Sequence, residues 1–191
     1  HKVEVLYPPV SDFFKIKDVN NNSRSDLVLT VSRFSKEKCL EMVARIAKLS
    51  PPNLSFIMAG ACRSRDALFS IRNSIRDLGV DKKVKLMPNI SRTELRSMLR
   101  KAKIYLHTGE NEPFGVSIVE AMSSGCVPIV PNSGGPKEFV PKQLRYESAE
   151  EAAHLIESSM SRWTPKNAEE AIEISERFSK GIFSKQFLKI M

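Results

Sequence analysis

The chain has 191 residues, with 30 Lys plus Arg against 22 Asp plus Glu and a formal net charge of +8, a length that suits one ordinary domain whose core needs neither disulfides nor a structural metal. The positive charge favours phosphorylated ligands, an anionic membrane surface or nucleic acid, without choosing among them. Cys39, Cys62 and Cys126 are odd in number and widely spaced, with no C-x-x-C pair, which argues against thiolate metal binding and for reduced thiols in a cytosolic compartment, and no apolar run nears the roughly 18 residues of a membrane span.

In chain order, Tyr7-Pro8-Pro9-Val10 is stiff, and the polar run 18–26, with three consecutive Asn, reads as an exposed loop. Residues 1–26 are therefore expected to be a linker and entry segment, with the compact domain, 27–191, beginning near Leu27. Apolar runs rich in branched residues at 27–31, 54–58, 84–87, 104–106 and 126–130 read as buried strands. Between them, 37–49, 65–78, 92–102 and 115–124 have helical spacing. The alternation implies α/β architecture: a Rossmann-like open parallel sheet with helices on both faces, and ligands gathered at the carboxyl ends of the strands. Past Glu147 the chain turns helical and polar, and Phe178, Ile182, Phe183 and Phe187 recur at near-helical intervals. That terminal segment is expected to dock on this domain or on another.

The loops after the strands carry the polar chemistry. Arg33 ends the first strand and Lys38 falls in the first turn of the next helix. If Ser35 is the N-cap, Lys38 stands where a capping box places Glu or Gln and opposes the helix dipole, a penalty that a bound phosphate would reverse. A solvated Lys38 paired with Glu37 or Glu41 explains the spacing about as well. No G-x-G-x-x-G follows the strand and there is no P-loop, so a nicotinamide enzyme is not expected. Gly60 closes the second strand, and Pro88-Asn89-Ile90 the third. Each could border a cleft, although Gly60 could be a turn glycine and Asn89 a helix cap. His107 ends the fourth strand, where a packed structural role competes with a ligand-facing one. Gly134-Gly135 follows the fifth, where paired glycines allow a close approach to a ligand or form an ordinary loop.

The most informative run is Glu112-Pro113-Phe114-Gly115-Val116-Ser117-Ile118-Val119-Glu120, with two carboxylates flanking a loop-to-helix junction. Gly115 permits the turn, and the free amides of the helix start suit a diphosphate. Glu120, among apolar neighbours, needs donors such as vicinal ribose hydroxyls. A glycosidase dyad would need the carboxyl groups about 5 to 9.5 Å apart. Five helical residues already rise about 7.5 Å, so a separation above about 10 Å is expected, with one Glu at a sugar and the other at a ribose. Arg92, Arg96 and Arg100 form a stripe on the third helix, read as a solvated face, since no aromatic residues interleave them as nucleic-acid binding would favour.

Together, Arg33, Lys38, the E-x7-E run with its internal Phe114-Gly115, and Gly134-Gly135 resemble the nucleotide-sugar-binding domain of retaining GT-B glycosyltransferases of the GT4 type. His107-Thr108-x-x-Asn111-Glu112-x-Phe114-Gly115 and Asn132-Ser133-Gly134-Gly135-Pro136-Lys137 look like the mannosyltransferases that extend lipid-linked oligosaccharides from GDP-mannose. The resemblance implies that Arg33 and Lys38 bind the donor diphosphate and that Glu112 holds hydroxyls of the transferred sugar. It also implies that the Phe114, Gly115 and Val116 amides meet phosphate or sugar, that Glu120 accepts from the ribose, and that the backbone near Asn89 and Ile90 meets the base. Gly60 and His107 join the substrate-binding set. Cys39 departs from the family, which often has Gly after the Lys. The D-x-D of the other large glycosyltransferase class is absent, so neither a metal nor a cofactor is implied. The expected partners are a nucleotide sugar and a glycan or lipid-linked acceptor bound by an amino-terminal domain outside this chain, with no nucleic acid. The location implied is cytoplasmic, with peripheral contact at the cytoplasmic membrane face. The chain alone is expected to bind donor and transfer nothing. A nucleotide-sugar epimerase of GT-B type and a non-catalytic module for anionic ligands are the competing readings.

Overall fold

The computed structural model describes residues 5–19 and 24–190. Alternation within the apolar runs sets the architecture, because neighbouring side chains of a strand point to opposite faces. Leu27 and Leu29 pack into one apolar cluster and Val28 into the other. The strands β1 (Ser25–Val31), β2 (Ser55–Gly60), β3 (Val84–Pro88), β4 (Ala102–Leu106), β5 (Val127–Pro131) and β6 (Arg145–Tyr146) form one sheet ordered β3-β2-β1-β4-β5-β6, every pairing parallel. Helices α1 (Glu41–Leu49), α2 (Arg65–Asp77) and α5 (Ala149–Ser161) cover one face through Val43, Ile46, Ile71, Ile75 and Ile156. Helices α3 (Arg92–Lys101), α4 (Val116–Ser123) and α6 (Pro165–Glu176) cover the other through Leu99, Ile118, Met122 and Ala171. The expected doubly covered parallel sheet is therefore the observed fold. Its order reverses between β1 and β4, and such a switch point leaves a crevice at the carboxyl edge.

Four elements differ from the sequence reading. β6, only two residues long, is too short for periodicity to reveal. α1 starts at Glu41, because Lys36–Lys38 forms a separate 3-10 turn ended by Cys39 in the left-handed region (φ 48°). The entry segment, expected to precede the compact domain, is packed onto it. The Ser11 side chain caps a turn at Asp12–Phe14, Phe14 is buried against the α4 side of the sheet, and the Val10 N–H donates to the Phe178 carbonyl at 2.8 Å. The consecutive Asn of the polar run lie outside the described residues. The terminal aromatic series also divides. Phe178 is buried among Tyr7, Phe114 and Phe139, whereas the final helix, α7 (Lys180–Ile190), buries none of its residues, and Ile182 and Phe187 are exposed. Among the described residues no helix is long and apolar enough to cross a membrane.

Candidate functional site

At the switch point a cleft of about 750 Å³ opens along the carboxyl edge of the sheet. Arg33, Lys38, Gly60, Asn89, Ile90, His107, Glu112, Phe114, Gly115, Val116 and Glu120 all line it. Residues from the ends of β1, β2, β3 and β4 and from the start of α4 thus meet in one place, although 87 positions separate the first from the last.

Lys38 is not in the first turn of α1 but ends the 3-10 turn that follows Ser35, so no long helix sets its dipole against the Lys38 charge. Its Nζ donates to Glu112 Oε2 at 2.7 Å, with both side chains largely buried. This replaces the expected alternative pairing with Glu37 or Glu41. The Thr108 hydroxyl donates to the Lys38 carbonyl at 2.9 Å and fixes that turn to the end of β4. Cys39 occupies the left-handed region where glycine is least strained, which accounts for the small residue after Lys38. An ammonium carries three N–H donors, so pairing with Glu112 leaves two for an anion in the cleft. Arg33 lines the same cleft but is mostly exposed, and its guanidinium lies 3.7 Å from Glu37.

The carboxyls of Glu112 and Glu120 are shifted in opposite directions. Burial pushes the Glu112 carboxyl up, but the hydrogen bond and charge of Lys38 outweigh it and hold Glu112 below its ordinary value. Glu120, on α4, is raised by burial, with Arg92 opposing the rise. Arg92 lines the cleft as well. It belongs to the stripe read as a solvated face. The signal that could have separated it is its place directly after Ser91, whose side chain and Glu94 form the capping box of α3. A helix starting at a strand's carboxyl end aims its first residues at the cleft. Asn89 is no helix cap: it adopts φ 58° and its side chain bonds both the N–H and the carbonyl of Cys62, tying the ends of β2 and β3 together.

His107 is 3% exposed, lies 3.8 Å from Glu112 through Nε2, and has no hydrogen-bond partner on that buried nitrogen. Burial depresses it to about 4, the Lys38 charge acting in the same direction and Glu112 against it. The ring is therefore neutral near pH 7. Phe114 turns its ring away, against Tyr7, Phe139 and Phe178, leaving its backbone at the site. Gly115 begins α4 at φ 91° with no side chain to cap it, so the first amides of that helix suit an anion.

The paired glycines do something else than expected. Neither Gly134 nor Gly135 lines the cleft. A Cβ on Gly135 would stand 2.0 Å from the Pro113 carbonyl oxygen and one on Gly134 2.5 Å from that of Glu112, while the Gly135 N–H donates to the Glu112 carbonyl at 2.8 Å. Their close approach is to the backbone of the Glu112 loop, which they support from behind. Similarly, a Cβ on Gly60 would meet the Ser32 carbonyl at 2.0 Å. Tyr105, buried in β4, donates to the Val31 carbonyl at 3.0 Å and accepts from the Ser117 hydroxyl at 2.8 Å, setting α4 against β1. A second cavity of about 780 Å³ lies at the amino edge between β5, α5 and α6, but its charged residues Arg162, Glu170, Glu173 and Arg177 are all exposed.

Comparison with known proteins places these features in context. The family described as glycosyl transferases group 1 matches residues 12–177. The chain is 34% identical to the GDP-Man:Man(3)GlcNAc(2)-PP-Dol alpha-1,2-mannosyltransferase of Homo sapiens and 30% identical to that of Dictyostelium discoideum, each over 97% of its length. It spans only 42% and 41% of those two proteins. Among solved structures it is similar to a glycosyltransferase from Rickettsia africae (TM-score 0.81, 21% identity, 98% of this chain and 56% of that one). It is also similar to Anabaena HepE in complex with UDP and glucose (TM-score 0.78, 23% identity, 87% and 48%). The C-terminal domain of a glycosyl transferase group 1 protein from Francisella tularensis matches with TM-score 0.72 at 18% identity, over 88% of this chain and 96% of that one.

Proposed function

The chain belongs to the group 1 glycosyl transferases, and on that premise we propose that it is the donor-binding half of a retaining hexosyltransferase that uses GDP-mannose and a lipid-linked glycan acceptor. The observation that carries this reading is the Lys38–Glu112 pair facing Glu120 across the uncapped start of α4 in one cleft. The mannosyltransferase names of relatives at 30% and 34% identity support the choice of donor. Glu112, ionised by Lys38, accepts hydroxyls of the sugar, and the neutral His107 beside it borders the same end of the donor. The α4 amides, Lys38 and Arg33 take the diphosphate, Glu120 accepts from the ribose, and the 89–90 backbone meets the base.

In transfer, the bond between the anomeric carbon and the diphosphate oxygen breaks with its electron pair leaving on the nucleotide, while the acceptor hydroxyl oxygen bonds to that carbon and its proton passes to the departing phosphate. Lys38 and Arg33 offset the charge that develops there, which is where most of the rate enhancement resides. The proposal includes no divalent ion, and EDTA should leave binding unchanged. The chain spans about two fifths of these relatives, and the acceptor and its membrane contact are part of the proposal.

Calorimetric titration of the chain with GDP, UDP, ADP and their sugars tests this reading. GDP and GDP-mannose should bind most tightly, without turnover. Equal affinity for the three bases would overturn the donor assignment, and no nucleotide binding at all would overturn the function.

A further inference from the structure

A second concentration of positive charge lies at the opposite edge of the sheet from the donor cleft. Lys15, Lys17, Arg24, Arg96 and Arg100 line a pocket of about 440 Å³, with Asp18 as its one carboxylate among the described residues. Three separate pieces of chain supply them: the entry segment, the residue before β1, and the middle and carboxyl end of α3. Two of these cations have visible work elsewhere. Arg24 is buried and donates to the carbonyls of Ala102 at 2.5 Å and of Ser124, the residues that end α3 and α4. It thereby cancels the partial negative charge of both helix ends. Lys15 pairs with Glu176 at 2.9 Å on the exposed side.

Arg96 is different. Its guanidinium is held over the Phe13 ring at 5.0 Å, and its Nε is buried with no hydrogen-bond acceptor among the described residues. A freely solvated arginine would not leave a donor dry, because an unmade bond on a buried charged group is costly. With Arg100 one helical turn further along α3 and Lys17 lining the same pocket, the arrangement offers planar N–H forks and a point charge, which match a tetrahedral oxyanion. We propose that this pocket is a second anion site that takes a phosphate group, carried either by a soluble phosphorylated compound or by the headgroup of an anionic phospholipid. The site is independent of the donor cleft, and its assignment does not rest on the donor reading.

Amide-resolved NMR of the 15N-labelled chain with inorganic phosphate tests it, because shifts at Lys17, Asp18 and Arg100 are separable from shifts at Gly115 and Val116 in the donor cleft. Saturable shifts are expected at the first group. Arg96→Gln/Arg100→Gln should weaken that binding about tenfold or more, by loss of charge-assisted hydrogen bonds. Arg100→Gln alone, which leaves the Phe13 contact in place, should weaken it to a lesser degree. A charge-matched Arg72→Gln/Arg76→Gln variant on α2 should leave it unchanged. Co-sedimentation with phosphatidylcholine vesicles, with and without phosphatidic acid, separates the sources. Capture only by the phosphatidic acid vesicles, lost in the double variant, assigns the headgroup, whereas phosphate binding without vesicle capture assigns a soluble ligand. Absence of both phosphate shifts and vesicle capture overturns the proposal, as does an equal loss in the α2 variant, which would reduce the site to diffuse surface charge.

Discussion

At the scale of single residues, the cleft holds charged and neutral groups in states that burial and pairing dictate. His107 is depressed to about 4 by burial. It should therefore stay neutral down to about pH 5, checked by ring-nitrogen chemical shifts on a pH titration. The unfolded chain takes up that proton near 6.5, so between about 6.5 and 4 it binds more protons than the folded one. Stability accordingly falls as pH drops through that window. Glu112 acts in the same direction at lower pH, since its depressed value gives stability that is present above the ordinary carboxylate range and lost as pH falls through the folded value. Glu120 has the opposite sign, because burial raises it and its ionisation works against folding. Glu120→Gln should thus stabilise the chain by roughly 0.5–2 kcal/mol in thermal unfolding at pH 7 while weakening GDP binding about tenfold. Lys38→Ala should destabilise by about 1–3 kcal/mol, because it leaves a largely buried carboxylate unpaired, and should weaken GDP binding as well. Affinity unchanged in both variants would remove these two residues from the site.

At the scale of elements, the loop carrying Glu112 is positioned from outside itself. β5 delivers Gly134-Gly135 against its backbone, and no Cβ fits at either position. Gly135→Ala should cost about 1–3 kcal/mol by overpacking and displace Glu112. Denaturation together with the Lys38–Glu112 contact in a variant structure checks this, and an unperturbed loop would contradict the supporting role. Periodicity revealed α2, α3 and α4 nearly to their ends, because each buries one apolar stripe against the sheet. It misplaced the start of α1, where the left-handed Cys39 breaks a run that spacing alone joins. It also joined Phe178 to α7, although Phe178 belongs to an aromatic cluster with Tyr7 and Phe114 that no local spacing encodes.

At the scale of the molecule, the entry segment is part of the core. Phe14→Ala should cost about 3–5 kcal/mol, as for a buried aromatic residue, read by denaturant unfolding. A cost near zero would make residues 5–19 a dispensable linker. The alternation of strands and helices in the sequence was enough to determine a doubly covered parallel sheet, because period-2 and period-3.6 apolar patterns leave few ways to bury both faces. The residue types of the cleft were legible too, since ligand-facing loops follow the carboxyl ends of the strands whatever the packing details. Which of those residues meet was decided only in three dimensions. The pairing of Lys38 with Glu112, the turning of the paired glycines toward backbone and of Arg92 toward the cleft, and the lodging of Phe14 beneath α4 are contacts between residues 22 to 110 positions apart. Local sequence carries no record of such contacts, because strand order and helix packing bring them together.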